Sequence, residues 1–355
     1  MPIKNARAER KKSFRTFWGN REPITLMDIL LTVDVEDWFQ VENLRPWVPF
    51  STWDSRELRV EANVHKLLDL FEDIDLEGSN SPVPSLDSTD STLAPPSTLQ
   101  PPGTKKVQCT FFVLGWLAER LPHLVREIAS RGHEVASHGY NHQMCNRLSD
   151  PNLRSELAGS KHLLEDITGA EVTGFRAPNF SVDDRVLSIL QESGYGYDSS
   201  YNDFSIHGRY GKISLNGQPK AGIAYKLIDG FFELPVSNLS LFSFPFLGNL
   251  RILSQYMHFP LPWSGGAYFR LMPFSIFTAG VRSILEKEDA YIFYIHPWEV
   301  DPGQPKVEKA SPGSRFKHYR NIPTTEAKLK RLIERFIDCR FVACCNYIEE
   351  MDHKT

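Results

Sequence analysis

The sequence predicts an α/β chain: a parallel sheet with helices packed outside it. Three observations carry this. Strand-like and helix-like segments alternate from about residue 29 to residue 344, the order that wraps helices around parallel strands. An apolar fraction of 41% with 24% charged residues is ordinary for a globular chain, which excludes wholesale disorder. A length of 355 residues is enough to bury a large core without disulfides or a structural metal. The element count fits either a (β/α) barrel or an open doubly wound sheet.

Ile29 to Val35 is an apolar run and reads as the first strand. Val60 to Phe71 has the spacing of an amphipathic helix, and Val107 to Leu114 reads as a buried strand. Trp116 to Ser130 reads as one helix stopped by Gly132. Glu134 to Ser137 is a short strand, Asn152 to Ile167 a helix before Gly169, and Val172 to Arg176 a strand. Asp183 to Glu192 is a helix with acids in its first turn, where they complement the helix dipole. From Tyr197 to Ala267 the chain is aromatic, Gly- and Pro-rich, and reads as irregular. Pro273 to Leu285 is a helix, Ala290 to His296 a strand, Thr324 to Ile337 a helix, and Phe341 to Cys344 a last strand.

Two segments stand apart. Residues 1–26 carry seven basic residues and two acids but no apolar run of signal-peptide length, so secretion is not expected. They read as a solvated tail, with contact to anionic lipid as the lesser alternative. In residues 78–104, 18 of 27 positions are Ser, Thr, Pro or Gly, the composition of a surface insertion. The expected organisation is therefore a basic extension at 1–26 and one domain at 27–350 that carries the insertion.

The net charge of −4 argues against a nucleic-acid binder. No stretch approaches 18 consecutive apolar residues, so no spanning helix is expected. There is no GxGxxG after a strand and no GxxxxGK[ST], which leaves nucleotide binding without support. Five cysteines without a CxxC read as small buried hydrophobes of a reducing compartment.

Four clusters bear chemistry. Asp34, Glu36 and Asp37 crowd the C-terminal end of a core strand, where parallel α/β proteins place their sites. Asp34 and Glu36 share a strand face, and crowded acids call for a cation or a positive partner. His138 and His142 stand at i and i+4, on one face if the backbone there is helical, a spacing that suits two ligands on one metal. His133-Glu134 does not complete HExxH, because the next histidine is one residue too far. Two imidazoles and a carboxylate would leave positions open for water and substrate. Arg176 closes a strand before Pro178, placed to hold a carboxylate ionised. His296 ends an aromatic-rich strand and suits a general acid. Asp198, after another strand-like stretch, is the least specific of these signals.

Their order is the stronger signal. TVDVED (32–37), HGYNH (138–142), FRAPNF (175–180) and YIHPWE (294–299) together resemble the polysaccharide deacetylases with a NodB homology domain, carbohydrate esterase family 4-like. The resemblance covers roughly residues 29–350. DVEDWF, TFFVLGW (110–116), YDSS (197–200), ELP (233–235), GGAYFR (265–270) and HPWE resemble the branch found in bacterial exopolysaccharide and exosortase-associated loci. The resemblance implies a distorted (β/α)7 barrel and a divalent metal, commonly Zn2+, with Co2+, Ni2+ or Mn2+ as alternatives. It implies Asp34 as base, His138 and His142 as metal ligands, Arg176 as the group that positions the base, and His296 as acid. The family's third ligand, an aspartate, has Glu36 in its place here, with Asp37 next to it. The family's fourth motif is not clearly present.

The implied activity is metal-assisted removal of N-acetyl groups from an N-acetylhexosamine glycan or its lipid-linked precursor. The oxyanion would lean on the metal and a backbone N–H near Tyr140. Trp38, Trp263, Tyr268 and Trp298 are candidates to stack on sugar faces, and Pro178 and Asp198 to border the substrate. Expected partners are the glycan and, peripherally, the inner membrane or polysaccharide assembly machinery, with a cytoplasmic location. Two alternatives remain: an allantoinase-like hydrolase of a small amide, and a glycan-binding assembly protein with a degenerate site.

Overall fold

The structure, a computed structural model, describes residues 27–74, 106–204, 211–228, 230–240 and 260–354. The expected extension 1–26 and insertion 78–104 lie outside the described residues.

Strand β1 (Asp28–Val35) is buried at every position. A strand covered on both faces needs a continuous apolar run rather than an alternating one, and Ile29 to Val33 supplies it around a single threonine. The sheet continues with β2 (Cys109–Val113), β3 (Glu134–Ser137), β4 (Gly174–Phe175) and β5 (Tyr197–Asp198). The stretch expected to be irregular holds β6 (Lys220–Ala221), β7 (Ala224–Ile228), β8 (Phe231–Glu233), β9 (Asn238–Ser240) and β10 (Pro260–Pro262). Strands β11 (Ala290–Ile295) and β12 (Arg340–Phe341) complete the set. Among the described residues, seven parallel strands run in the order β11-β1-β2-β3-β4-β5-β8, and β7 and β6 extend them antiparallel. The mixed α/β architecture and its parallel sheet are as the sequence predicted.

Alternate residues of these strands face two cores. Ile29, Leu31, Val33 and Phe111 join a large outer cluster with helix residues such as Leu67, Leu157 and Val281. Leu30, Phe112, Ala136, Tyr197, Phe232 and Ile292 form an inner cluster from six strands. Helix residues Tyr347, Ile348 and Met351 fill the inner cluster further. Asp34 continues the Leu30–Thr32 row by the two-residue period of a strand, so it stands on the inner side.

The helices are α1 (Val60–Glu72), α2 (Gly115–Arg120), α3 (Pro122–Ser130), α4 (Asp150–Thr168), α5 (Asp184–Glu192), α6 (Gly266–Leu271), α7 (Phe274–Glu288), α8 (Pro312–Tyr319), α9 (Thr325–Arg335) and α10 (Cys344–Asp352). The single helix expected over 116–130 is two. Leu121, at φ −128° and ψ 54°, separates them, because Pro122 has no N–H to donate and disfavours helical geometry in the residue before it. The last strand is also shorter than expected. Strand β12 pairs with Asp28 and Ile29 alone, and from Leu31 onward β1 pairs with β2. The chain beyond it turns into α10.

Register sets the site. Val33 pairs with Ile295, Val35 with Val113, Val113 with Ser137, Ser137 with Phe175 and Phe175 with Asp198. The strands therefore end at one rim, and the next residues in line are Asp34, Glu36, His138, Arg176, Ser199 and His296.

Candidate active site

Arg176 stands at this rim with no exposed surface. One terminal nitrogen donates to Asp34 Oδ1 at 2.8 Å and to Thr32 Oγ1 at 2.6 Å. Its Nε donates to the Ser199 carbonyl and its other terminal nitrogen to Ser199 Oγ, both at 2.9 Å. The Phe112 ring lies 4.1 Å below the guanidinium carbon. Four of the five donors of the fork meet a partner, which fixes the guanidinium and, through it, the Asp34 carboxylate.

Glu36, His138 and His142 place one ligand atom each within 4.8 Å of one another, and all three residues are buried. Glu36 Oε1 lies 3.2 Å from His138 Nε2 and 3.0 Å from His142 Nε2. Tetrahedral ligand atoms about 2.1 Å from a cation are roughly 3.4 Å apart, so the spacing fits one ion. The chemistry fits as well. His138 Nδ1 donates to the Arg176 carbonyl at 2.7 Å, which turns Nε2, an acceptor unless a second proton is added, toward a carboxylate oxygen. Two acceptors so close need a proton or a cation between them. Burial alone would raise the Glu36 carboxyl, but the imidazoles of His142, His296 and His138 outweigh it and hold it well below the usual carboxylate range.

The two histidines do not share a helix face, contrary to the expectation from their spacing. They sit in a loop in which Gly139 has φ 75° and His142 φ 53°. Such a conformation in a non-glycine residue is strained and persists where surroundings enforce it. Here the enforcing group is Glu156 on α4. Its carboxylate accepts from the Tyr140 and Asn141 backbone N–H groups at 3.2 and 2.9 Å, and from the Asn141 and Gln143 side chains. Sequence reasoning missed Glu156; it lies inside an amphipathic helix and carries no motif.

His296 Nε2 points to the same centre, 3.7 Å from Glu36 Oε1 and 4.0 Å from Asp34 Oδ2. Burial would lower its pKa, but Glu36, Glu299 and Asp34 outweigh burial and lift it to about 9. A cavity of about 260 Å³ opens over this centre; Asp34, Glu36, His138, Phe180, Tyr268 and His296 are among its walls.

Several expected site residues are elsewhere. The Asp37 carboxylate accepts from the backbone N–H groups of Trp38, Arg59 and Val60 at 2.8, 2.6 and 2.9 Å. It caps the start of α1, and of the two acids next to Asp34 only Glu36 joins the histidines. The Tyr140 N–H is committed to Glu156 and is not free for an oxyanion. Pro178 opens a short turn (Pro178–Phe180), and the cavity wall there is made by Ala177, Asn179 and Phe180. Asp198 is fully buried outside the cavity wall. It accepts from Ser200 Oγ at 2.6 Å, and Ser200 Oγ in turn accepts from the Ala177 N–H at 2.7 Å. Burial raises Asp198 to about 6, and burial with the Asp198 charge raises its neighbour Glu233 further.

The aromatics divide likewise. Trp263 donates to the Phe277 carbonyl at 2.8 Å and stacks on the Phe277 ring, and Trp38 is core, 3% exposed. Trp298 reaches the cavity, but it is stacked with His296 and with His318, ring centroids 5.2 and 4.2 Å away. Neither Trp263, Trp38 nor Trp298 offers a sugar an open face. Tyr268 is half-buried on the cavity wall.

Comparison with known proteins agrees with the motif order. Residues 98–197 match the polysaccharide deacetylase family, and residues 199–348 match a domain of unknown function (DUF3473). A peptidoglycan-N-acetylglucosamine deacetylase of Bacillus cereus is 32% identical over 90 residues, 25% of this chain and 42% of that protein. The chain matches between 27% and 42% of the length of the first curated relatives. In fold, it resembles a Mycobacterium smegmatis protein assigned to the polysaccharide deacetylases, with TM-score 0.55 and 18% identity over 94% of this chain and 93% of that one. It also resembles an allantoinase, with TM-score 0.52 and 14% identity over 96% of both chains. Family match, motif order and fold agree: residues 98–197 carry the polysaccharide deacetylase match, and the chain around them is similar to that family in motif order and fold.

Proposed function

We propose that this protein hydrolyses the N-acetyl amide of hexosamine units in a glycan, releasing acetate and a free amino sugar. One observation carries the reading: a buried, arginine-held carboxylate, a Glu-His-His ligand set and a strand-end histidine converge on one cavity. Either half alone would be ordinary; together they supply what amide hydrolysis needs.

A divalent cation, Zn2+ first among the candidates, held by Glu36, His138 and His142 would supply Lewis acidity, acidifying bound water and polarising the acetyl carbonyl. Asp34 accepts the proton of the attacking water. Arg176 holds Asp34 aimed, and Thr32 shares the same guanidinium nitrogen. His296 delivers its Nε2 proton to the departing amine, so the C–N bond breaks without expelling an amide anion. Tyr268, on the wall of the cavity, borders the sugar.

The finer reading of the substrate is an N-acetylhexosamine exopolysaccharide or its lipid-linked precursor, deacetylated by the one domain of residues 27–350 at the cytoplasmic face of the inner membrane. Its support is the likeness of HPWE, GGAYFR and YDSS to the exopolysaccharide-locus branch. Among the described residues no helix is long and apolar enough to cross a membrane.

Acetate release from N-acetylglucosamine oligomers by the zinc-loaded protein tests the reading. Wild type should turn over, and Asp34→Asn should lose at least 10²-fold in kcat while still binding the oligomer. Equal glycan binding by both without acetate from either would instead support a binding protein.

A further inference from the structure

Gly266 and Arg270 of GGAYFR and the glutamate of HPWE remain without a role in the reaction as derived. The structure joins them. Glu299 follows His296 by three residues in a short turn (Pro297–Val300). Its Oε1 accepts from the His296 Nδ1–H at 2.9 Å and from the His296 backbone N–H at 3.2 Å. Its Oε2 accepts from Arg270 Nε at 2.7 Å, and both side chains of this pair are 1% exposed. The other Arg270 nitrogens donate to the carbonyls of Lys317, His318 and Arg320 at 3.0, 2.9 and 2.6 Å. Gly266 makes the space: a Cβ there would stand 2.2 Å from Glu299 Oε1 and 2.4 Å from Oε2.

We propose that Glu299 is a positioning residue that holds the His296 imidazole by Nδ1–H with Nε2 turned to the reacting centre, and that Arg270 and Gly266 hold Glu299 in place. The inference rests on the hydrolase reading for its kinetic consequence and on geometry alone for the contact itself. A histidine that donates through Nδ1 to a fixed acceptor has its ring plane and its free edge set together. Trp298 restricts the ring further by stacking on it, 5.2 Å between centroids. GGAYFR is then the seat of this acceptor: one glycine cleared for the carboxylate and, one turn on, the arginine that pairs with it.

The test combines kinetics on the zinc-loaded full chain with NMR of 15N-histidine-labelled protein. In wild type the His296 Nδ1–H should give a downfield signal, assigned by its loss in His296→Ala. Glu299→Gln strands a buried guanidinium, so Arg270→Met/Glu299→Met is the variant that keeps the fold by removing both charges. It should lose the downfield signal and lower kcat about 10²-fold, the lower end of what a positioned acid contributes. KM should stay within about twofold, with zinc content unchanged. Gly266→Ala, which touches no substrate, should do the same by displacing Glu299. A folded, zinc-bound double variant with kcat within threefold of wild type overturns the proposal, as does a wild-type signal that is insensitive to Glu299. If wild type releases no acetate from any glycan, the hydrolase reading fails, while the signal still decides whether Glu299 holds His296.

Discussion

Arg176 carries more of the site than any other side chain, and its replacement separates stability from chemistry. Arg176→Met leaves Asp34 buried beside Thr32 without its direct ion-pair partner, His296 being 4.0 Å away. Removing one partner of a buried pair costs about 3–5 kcal/mol, and urea unfolding should show a loss of that size. Asp34→Asn also leaves the buried guanidinium uncompensated but keeps an acceptor for it, so its loss of stability should be smaller than that of Arg176→Met while its turnover is lost. Near-equal stability of Arg176→Met and wild type would mean that the pair is not the buried contact described. At this scale the motifs were legible because strand ends place chemistry: Asp34, His138, Arg176 and His296 each fall one step beyond a register pair. Asp37 was not separable from Glu36 in sequence. Its Oδ2 accepts from the N–H groups of both Arg59 and Val60, more than twenty residues away, and no local pattern reports that. Trp298 misled for a related reason, because the rings that cover it, His296 and His318, come from its own turn and from α8.

The elements decide how firmly the ligands are held. The His138–His142 loop is strained at His142 and tied to α4 by Glu156, a residue that touches no ligand atom. Glu156→Ala should lower zinc affinity about 10–100-fold, the usual effect of removing an outer support, with little change in helix content; calorimetric titration of the apoprotein measures it. Unchanged affinity would show that the loop holds its shape without Glu156. Acid stability also belongs to this scale. Burial, then Arg270, holds His318 at about 3, and burial, then Arg131, holds His133 at about 4, both below the ordinary 6.5. The unfolded chain therefore takes up protons below about pH 6.5 that the folded chain refuses. Their contribution is complete above that pH and is lost as pH falls toward 3–4, by at most about 1.4 kcal/mol per pH unit for each histidine. His318→Asn should be less stable at neutral pH but show a shallower loss between pH 6.5 and 4.5 in urea melts. A parallel pair of curves would contradict the assignment.

Across the whole molecule, alternation alone specified a parallel sheet, and the buried run of β1 marked a strand covered on both faces. What stayed hidden was long-range. The five short strands from β6 to β10 have no clean period, since pairs of two or three residues are too brief to show one. Helix α10 hides behind a strand-like Phe341 because only the pairing of β1 with β2 shows where β12 must end. The packed frame predicts a conventional cost for a core truncation. Phe111, fully buried in the outer cluster, should lose about 3–5 kcal/mol as Phe111→Ala, measured by urea unfolding, with the catalytic rim unaltered in a zinc-bound sample. A metal held by these residues would couple the frame to the site: a ligand bound only by the folded chain stabilises it by RT ln(1 + [L]/Kd). The central claim is that Glu36, His138 and His142 hold one divalent ion beside Asp34 and His296. Elemental analysis of purified wild type beside His138→Ala/His142→Ala, both after zinc reconstitution and desalting, tests it most directly. Wild type should retain close to one zinc per chain and a folded double variant none; equal zinc in both, or none in either, would mean that these residues do not form the site.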